Sequence, residues 1–289
     1  NSQMPVSVRL FRKLLAALEY GDMLDSLCNQ LRPYEKEKGS TDAWCETWIH
    51  TIHQWFMKNK NYSTLAMRSV FKKIARSTRE VQIQRTDKIK VGVVGEIYVK
   101  FSPMGNNDLK AFLESQDCEV NIPGVMGYVE YCIANFALDI EYYGGKKYMQ
   151  IIWKMGLAIL DSLNSSMRKS MESYGFTGPG SFKKLKDGTK GIIHLGAKMG
   201  EGWLLSGEMV ELLRTGYPNI ICAQPFGCLP NHIMGKGVVN VLREKYPESN
   251  IAAIDYDPSA TKVNQENRIK LMLAVAKENM NRVGEISQL

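Results

Sequence analysis

The pattern that most constrains this chain is a short β-branched run closed by glycine, proline or a polar turn and followed by a helix-compatible stretch. It recurs along the carboxy-terminal two thirds: Ile89 to Gly95, Glu119 to Ile122, Gly191 to Leu195, Asn219 to Cys222 and Asn250 to Asp255. Runs this short, separated by helical lengths, predict five strands of a parallel sheet with helices on both faces. The expected architecture is therefore α/β, a flavodoxin-like layer sandwich. In such sheets ligands bind outside the carboxyl ends of the strands, where the strand order reverses.

Two further regions read as helical. From Met4 to about Thr86 apolar residues recur at three and four (Val8, Phe11, Leu14, Leu15, Leu18; then Trp44, Trp48, Ile52, Trp55, Phe56), the spacing of amphipathic helices. Arg32-Pro33-Tyr34 halts one helix, Gly39 to Asp42 supplies cap residues for the next, and a third runs from about Ser63 to Ser77. Between the second and third strand runs, Met126 to about Tyr174 is too long for one crossover helix and predicts an insertion of two or more helices. The expected division is a helical region over 1–87 and a flavodoxin-like domain over 88–289 with a helical insertion at about 124–180. Lys183 to Lys190 reads as a charged hairpin or loop.

Charge and cysteine usage narrow the function classes. Residues 1–90 hold 16 Lys/Arg against 9 Asp/Glu, an excess of 7 that accounts for the whole net charge of +7. Ten basic residues between Lys58 and Lys90 face only Glu80 and Asp87. Phe71 stands nearly alone among Arg68, Lys72, Lys73, Arg76 and Arg79, so the interleaved aromatics of a nucleic-acid surface are missing, and no nucleic-acid partner is expected. A solvated helix face, or a surface for another domain or an acidic cofactor, fits better. The longest apolar run, Leu271 to Ala276, is far short of the roughly 20 residues that a bilayer-spanning helix needs, and no membrane partner is expected. Six cysteines without a secretory signal point to a reducing cytoplasm and to free thiols or metal ligands.

Chemistry is expected in three loops. The first, Gly95 to Asn107, is long and polar but is neither G-x-G-x-x-G nor a P-loop. Glu96 and Lys100 there either position a substrate or form a buried ion pair. The second, His194 to Met209, packs four glycines into sixteen residues; such turns point amides at an anion, or simply permit tight helix-on-sheet contact. The third, Cys222 to Gly237, brings two thiols, His232, two prolines and three glycines to a strand exit. Thiolates on a rigid turn suit zinc or an iron-sulfur cluster, although C-x5-C matches no standard zinc ribbon and free cysteines also pack as small hydrophobes.

A rival set, Glu46, His50 and His53 beside Cys45, shares one helix face, but the neighbouring tryptophans make a half-buried helix with polar tips the simpler account. A zinc hydrolase lacks its H-E-x-x-H. Asp255-Tyr256-Asp257-Pro258 ends the last strand, as a magnesium or ribose ligand set or as an ordinary turn and helix cap.

The stretches RPYEKEKGSTD (32–42), KVGVVGEIYVKFSPMGNNDL (90–109), GEGWLLSGEM (200–209), QPFGCLPNHIMGKG (224–237) and AIDYDPSATKVNQENRIKLML (253–273) together resemble the 2-hydroxyacyl-CoA dehydratase and benzoyl-CoA reductase superfamily. The likeness is greater to the carboxy-terminal region of its acyl-CoA dehydratase activase-related proteins. That resemblance implies cysteines at strand ends holding an iron-sulfur cluster, which receives one electron from an ATP-driven activator and reduces an acyl-CoA thioester. Cys228 best matches a cluster-ligand position, followed by Cys222 and Cys132. Gly95, Glu96, Gly200, Gly202, Gly227 and Asn231 would shape the cofactor cleft. The related dehydratases carry further cluster cysteines in an upstream domain. The implied partners are ATPase activase domains, of the same or another chain, and an acyl-CoA-type substrate. An interaction module docking such domains through the basic helix face is the alternative.

Overall fold

The computed structural model describes residues 7–257 and 261–286; Met4 to Val6, and Pro258 to Ala260 of the expected last turn, lie outside them. In chain order the elements are α1 (Val8–Leu31), α2 (Ser40–Met57), α3 (Thr64–Ser77), β1 (Ile89–Gly95), α4 (Ile97–Phe101), α5 (Leu109–Ser115), β2 (Cys118–Asn121), α6 (Val125–Tyr143), α7 (Lys147–Glu172), α8 (Phe182–Gly188), α9 (Trp203–Arg214), β3 (Asn219–Pro225), α10 (Val239–Lys245), β4 (Asn250–Tyr256) and α11 (Lys262–Ile286). They form two compact units. One comprises Asn1–Thr86, Gly124–Ala137 and Lys146–Ser181; the other comprises Asp87–Pro123, Leu138–Gly145 and Phe182–Leu289. Most of the helical insertion thus belongs with the amino-terminal helices.

In the helical unit the spacing of apolar residues sets the packing. Tyr20, Met23, Leu27 and Leu31 on α1, Met67, Phe71 and Ile74 on α3, and Leu163, Met167 and Met171 on α7 are all buried in one core. Each fully buried side chain of this size contributes roughly 1.5–3 kcal/mol relative to exposure. The ends are fixed locally. Ser7 Oγ accepts from the Leu10 amide (3.1 Å), Ser63 Oγ accepts from the Ala66 amide (3.3 Å), and the Glu35 carboxylate accepts from the Gly39 and Thr41 amides (2.7 and 2.9 Å). Trp44 and Trp48 both donate their indole N–H to Ser77 Oγ (3.0 and 2.8 Å), tying α2 to the end of α3.

The other unit is built on a four-stranded, all-parallel sheet of order β2-β1-β3-β4. Side chains alternate across it as strand geometry demands. Val91, Val93, Ile221 and Ala223 face a core shared with α5 and α11, while Val94, Ile220 and Cys222 face one shared with α9 and α10. Helices therefore cover both faces, which is why the strands read as nearly continuous apolar runs. The chain leaves β1 for β2 at one edge and returns on the other side of β1 as β3, so the order reverses between β1 and β3.

The expected strand at Gly191 to Leu195 is not formed. Gly191 adopts φ +69°, and the Ile192 and Ile193 amides bond back to the Thr189 carbonyl (2.9 and 3.1 Å), making turns after a helix. That helix is α8, which replaces the charged loop expected at 183–190. No helix among the described residues is long and apolar enough to cross a membrane.

Candidate functional site at the strand exits

Three loops of the α/β unit meet at the reversal point, and the sequence explains how. At the end of β1, Gly95 takes φ +146°, and a Cβ there would lie 1.8 Å from the Ala223 carbonyl oxygen. Only glycine lets β1 and β3 stay this close where the next amide, of Glu96, bonds Ala223 (3.0 Å). At the end of β3, the Cys228 amide donates to the Pro225 carbonyl (3.2 Å) with Gly227 at φ +74°. This is the glycine position of a type II turn, and it sets Cys228 just beyond the strand. Gly200 packs on Pro230, a Cβ there falling 3.2 Å from its ring, and Gly202 (φ +49°) precedes α9.

Glu201 joins the three loops. Its Oε1 accepts from the Ile97 amide (3.1 Å) and its Oε2 from Asn231 Nδ2 (3.2 Å). Asn231 is fully buried, and the same Nδ2 donates to Cys228 Sγ (3.2 Å). Because a carboxylate only accepts, the amide orientation is set: NH2 toward Glu201 and the sulfur, Oδ1 away. That Oδ1 is buried without a hydrogen-bond partner among the described residues. Buried unpaired acceptors cost about 1–3 kcal/mol and mark places where something else is at stake. Asn231 opens a π-helical turn, Asn231–Lys236, a distortion frequent at functional sites.

A second layer of polar groups supports the first. The His232 ring donates from Nδ1 to the Cys228 carbonyl (2.9 Å), since a carbonyl can only accept. Its Nε2 lies 3.4 Å from Gln224 Nε2 and 3.5 Å from Asp255 Oδ1, and Gln224 donates to the same Asp255 oxygen (2.7 Å). Beneath them Lys100 and Glu208 form a fully buried ion pair (3.1 Å). Burial pushes the Glu208 carboxyl up, and the Lys100 ammonium works against that rise. The buried ion pair weighed for Glu96 and Lys100 thus forms with Glu208 as the acid. Glu96 instead caps α4, its Oε2 accepting from the Val99 amide (2.8 Å).

The three candidate metal cysteines are placed very differently. Cys228 is half-buried at the strand exit. Cys222 is wholly buried inside β3, its sulfur against Gly235, where an added Cβ would meet it at 2.8 Å. Burial first, then the carboxylates of Glu208 and Asp255, push its thiol up to about 12, and its side chain packs in the core shared with α9 and α10. Cys132 belongs to the helical unit, half-buried on α6, its thiol also pushed up by burial. Among the described residues no group of three or more His, Cys, Asp and Glu side chains is arranged to hold a metal ion. Glu46, His50 and His53 are exposed on α2 and belong to no such group.

Large apolar side chains stand exposed on the same three loops. Tyr98, Met104, Met199, Phe226, Leu229 and Ile233 are all exposed, and all six lie on these three loops. A soluble surface seldom concentrates such residues without a partner or ligand to cover them. The loops themselves were visible in the sequence. Glu201, Glu208, Gln224 and Asp255 as parts of one network were not, because their pairings join positions about thirty to more than a hundred residues apart. Glu208, an acid amid the apolar run of α9, was the signal that could have found its pairing. No protein-family model, no curated protein and no solved structure matches this chain.

Proposed function

We propose that this chain is a redox, cluster-supporting domain of the 2-hydroxyacyl-CoA dehydratase type, working in a reducing cytoplasm, with Cys228 as its thiolate at the strand exits. The observation that carries the reading is the buried Asn231 amide held by Glu201 and donating to Cys228 Sγ. An iron-sulfur cluster needs several thiolates, and among the described residues Cys228 is the half-buried thiol at the strand exit, while Cys222 lies buried within β3. The remaining ligands would come from outside this set of residues, as the motif resemblance implies. When bound, the cluster would pass single low-potential electrons toward an acyl-CoA-type acceptor.

The chain's own residues have definite parts in that scheme. Asn231 N–H directed at the sulfur stabilises negative charge there and raises the ease of reduction, since hydrogen bonds to ligand sulfur tune such centres. Gly227 presents the thiol and Gly95 keeps the floor shallow. The apolar rim from Tyr98 to Ile233 would exclude water once covered. Iron and acid-labile sulfide should be measured on the full-length protein purified without oxygen, beside Cys228→Ser and Cys222→Ser. Iron lost with Cys228→Ser and kept with Cys222→Ser is expected; an iron-free, colourless parent protein overturns the proposal.

One observation favours a second reading, a docking module. In the helical unit, Arg68 and Lys72 on α3 and Lys169 on α7 line a groove of about 810 Å³ together with four serines and Asp161 of α7 and Ser173 just beyond it. A groove so lined suits an acidic partner segment or domain. Reversing Arg68 and Lys72 to glutamate with no change in association with activase domains would remove it.

A further inference from the structure

The groove between α3 and α7 lies wholly within the helical unit, and its chemistry is more specific than its charge alone. On α7, Ser162, Ser166, Lys169 and Ser173 follow one another at four, three and four residues, so they share one helix face. The enclosed volume of about 810 Å³ falls inside the range of roughly 300–1,000 Å³ found for small-molecule sites. Arg68 Nη2 donates to Ser162 Oγ (2.7 Å), linking the two helices across the groove. Its Nε is buried with no hydrogen-bond partner among the described residues. Ser170, 6% exposed, is a buried wall of the groove. Its hydroxyl donates to the Ser166 carbonyl (2.8 Å), and that of Ser173 to the Lys169 carbonyl (2.6 Å), so both protons are taken. Ser162 accepts from Arg68 and keeps its own proton to give. Arg68, Lys72 and Lys169 against Asp161 leave the lining with an excess of two positive charges. At one end the Arg79 guanidinium lies 4.9 Å from the ring of Tyr174, itself a lining residue.

A phosphate monoester carries about −1.5 to −2 charges near neutral pH and three strong acceptor oxygens. That matches an excess of two positive charges with donors on both walls, where a single carboxylate would answer only half of it. We propose that the groove is a binding site for a phosphate-bearing small molecule, its phosphate held by Arg68, Lys72, Lys169 and the Ser162 hydroxyl. Arg68 carries the specificity. Its planar fork can give two parallel N–H bonds to phosphate oxygens, which a lysine ammonium cannot. Because Nε is covered in the free groove, binding turns the guanidinium toward the ligand, and the N–H that lacks an acceptor gains one. The occupant differs from the acidic segment of the docking reading, and the site depends neither on that reading nor on a cluster at Cys228.

The test is isothermal titration calorimetry of the full-length protein at low ionic strength with inorganic phosphate and ribose 5-phosphate, beside ribose, acetate and poly-glutamate. Both phosphates should bind at a single site, and ribose and acetate should not. Arg68→Met and Arg68→Lys should each weaken ribose 5-phosphate about tenfold or more, the charge of the lysine failing to replace the fork. Lys58→Met, exposed on the same basic stretch but outside the groove, should leave the affinity unchanged. A reading on the parent protein guards against a variant that fails to fold: ribose 5-phosphate should slow acetylation of Lys72 and Lys169 by acetic anhydride and leave Lys58 unaffected. The proposal is overturned if neither phosphate binds, or if Arg68→Met and Lys58→Met bind alike, which marks general attraction to a basic surface. Poly-glutamate binding without phosphate binding overturns it too and assigns the groove to an acidic segment.

Discussion

The two units bury charge in opposite ways. Under the strand exits, the carboxylate of Glu208 meets Lys100 and that of Glu201 accepts two hydrogen bonds. In the helical unit, Glu19 is wholly buried with no hydrogen-bond partner for either oxygen among the described residues. Nearby Glu130 accepts from Asn164 Nδ2 (3.0 Å). Burial first, and then neighbouring carboxylates, push Glu19 up to about 8; burial above all pushes Glu130 to about the same value. The helical unit accommodates its acids by keeping them protonated, and the α/β unit by giving each a donor. A paired buried charge keeps a fixed geometry at every pH near neutrality, which a site that presents a sulfur requires; a protonated core acid only has to fit.

The largest expected effect breaks the paired side. Lys100→Met strands the Glu208 charge in a fully buried position and should cost about 3–5 kcal/mol, read by urea unfolding of the α/β unit. Adding Glu208→Leu to it should recover most of that loss, because two apolar residues of similar volume replace the pair. If the single variant is silent, the distinction between the units collapses.

The next effect sharpens the unpaired side. A carboxyl whose folded pKa lies above its unfolded value of 4.5 binds more protons when folded, so stability is fully present below about pH 4.5 and falls as pH rises toward about 8. Glu19→Gln should therefore leave stability at pH 4.5 nearly unchanged and raise it at pH 8 by about 2–4 kcal/mol, each pKa unit being worth ~1.4 kcal/mol. Thermal unfolding of the two proteins across that range checks the sign. A parent protein that gains stability with rising pH in this window would refute the assignment.

The smallest effect separates site from scaffold. Asn231→Ala removes the bond to Cys228 and one of the two donors to Glu201 and should cost roughly 1–2 kcal/mol of stability. A larger consequence is expected at the sulfur: the Cys228 thiol should change its rate of alkylation in Asn231→Ala and stay unchanged in Lys72→Glu, on the other unit.

Much of this was legible in the residues, and the limits have physical causes. Four of the five expected strands showed themselves because a sheet covered on both faces needs β-branched side chains at nearly every position, whereas the strand order, and with it the reversal point, is set by tertiary packing. Gly191 to Leu195 misled because a short apolar run after a helix has no periodicity to distinguish a turn from a strand. The spacing of Cys222 and Cys228 could not rank them, since it takes no account of where β3 stops. Cys222 falls in alternation with Ile220 on a covered face, whereas Cys228 lies past a glycine turn. The contact of Lys100 with Glu208 depends on how separate helices pack, which no local pattern encodes.

The proposed function turns on Cys228 binding a cluster at the strand exits. Electron paramagnetic resonance of the dithionite-reduced, full-length protein, isolated without oxygen and compared with Cys228→Ser, tests it most directly. A reduced-cluster signal that disappears or changes its g-values in the variant is the predicted result; a signal identical in both proteins, or none in the parent, would contradict it.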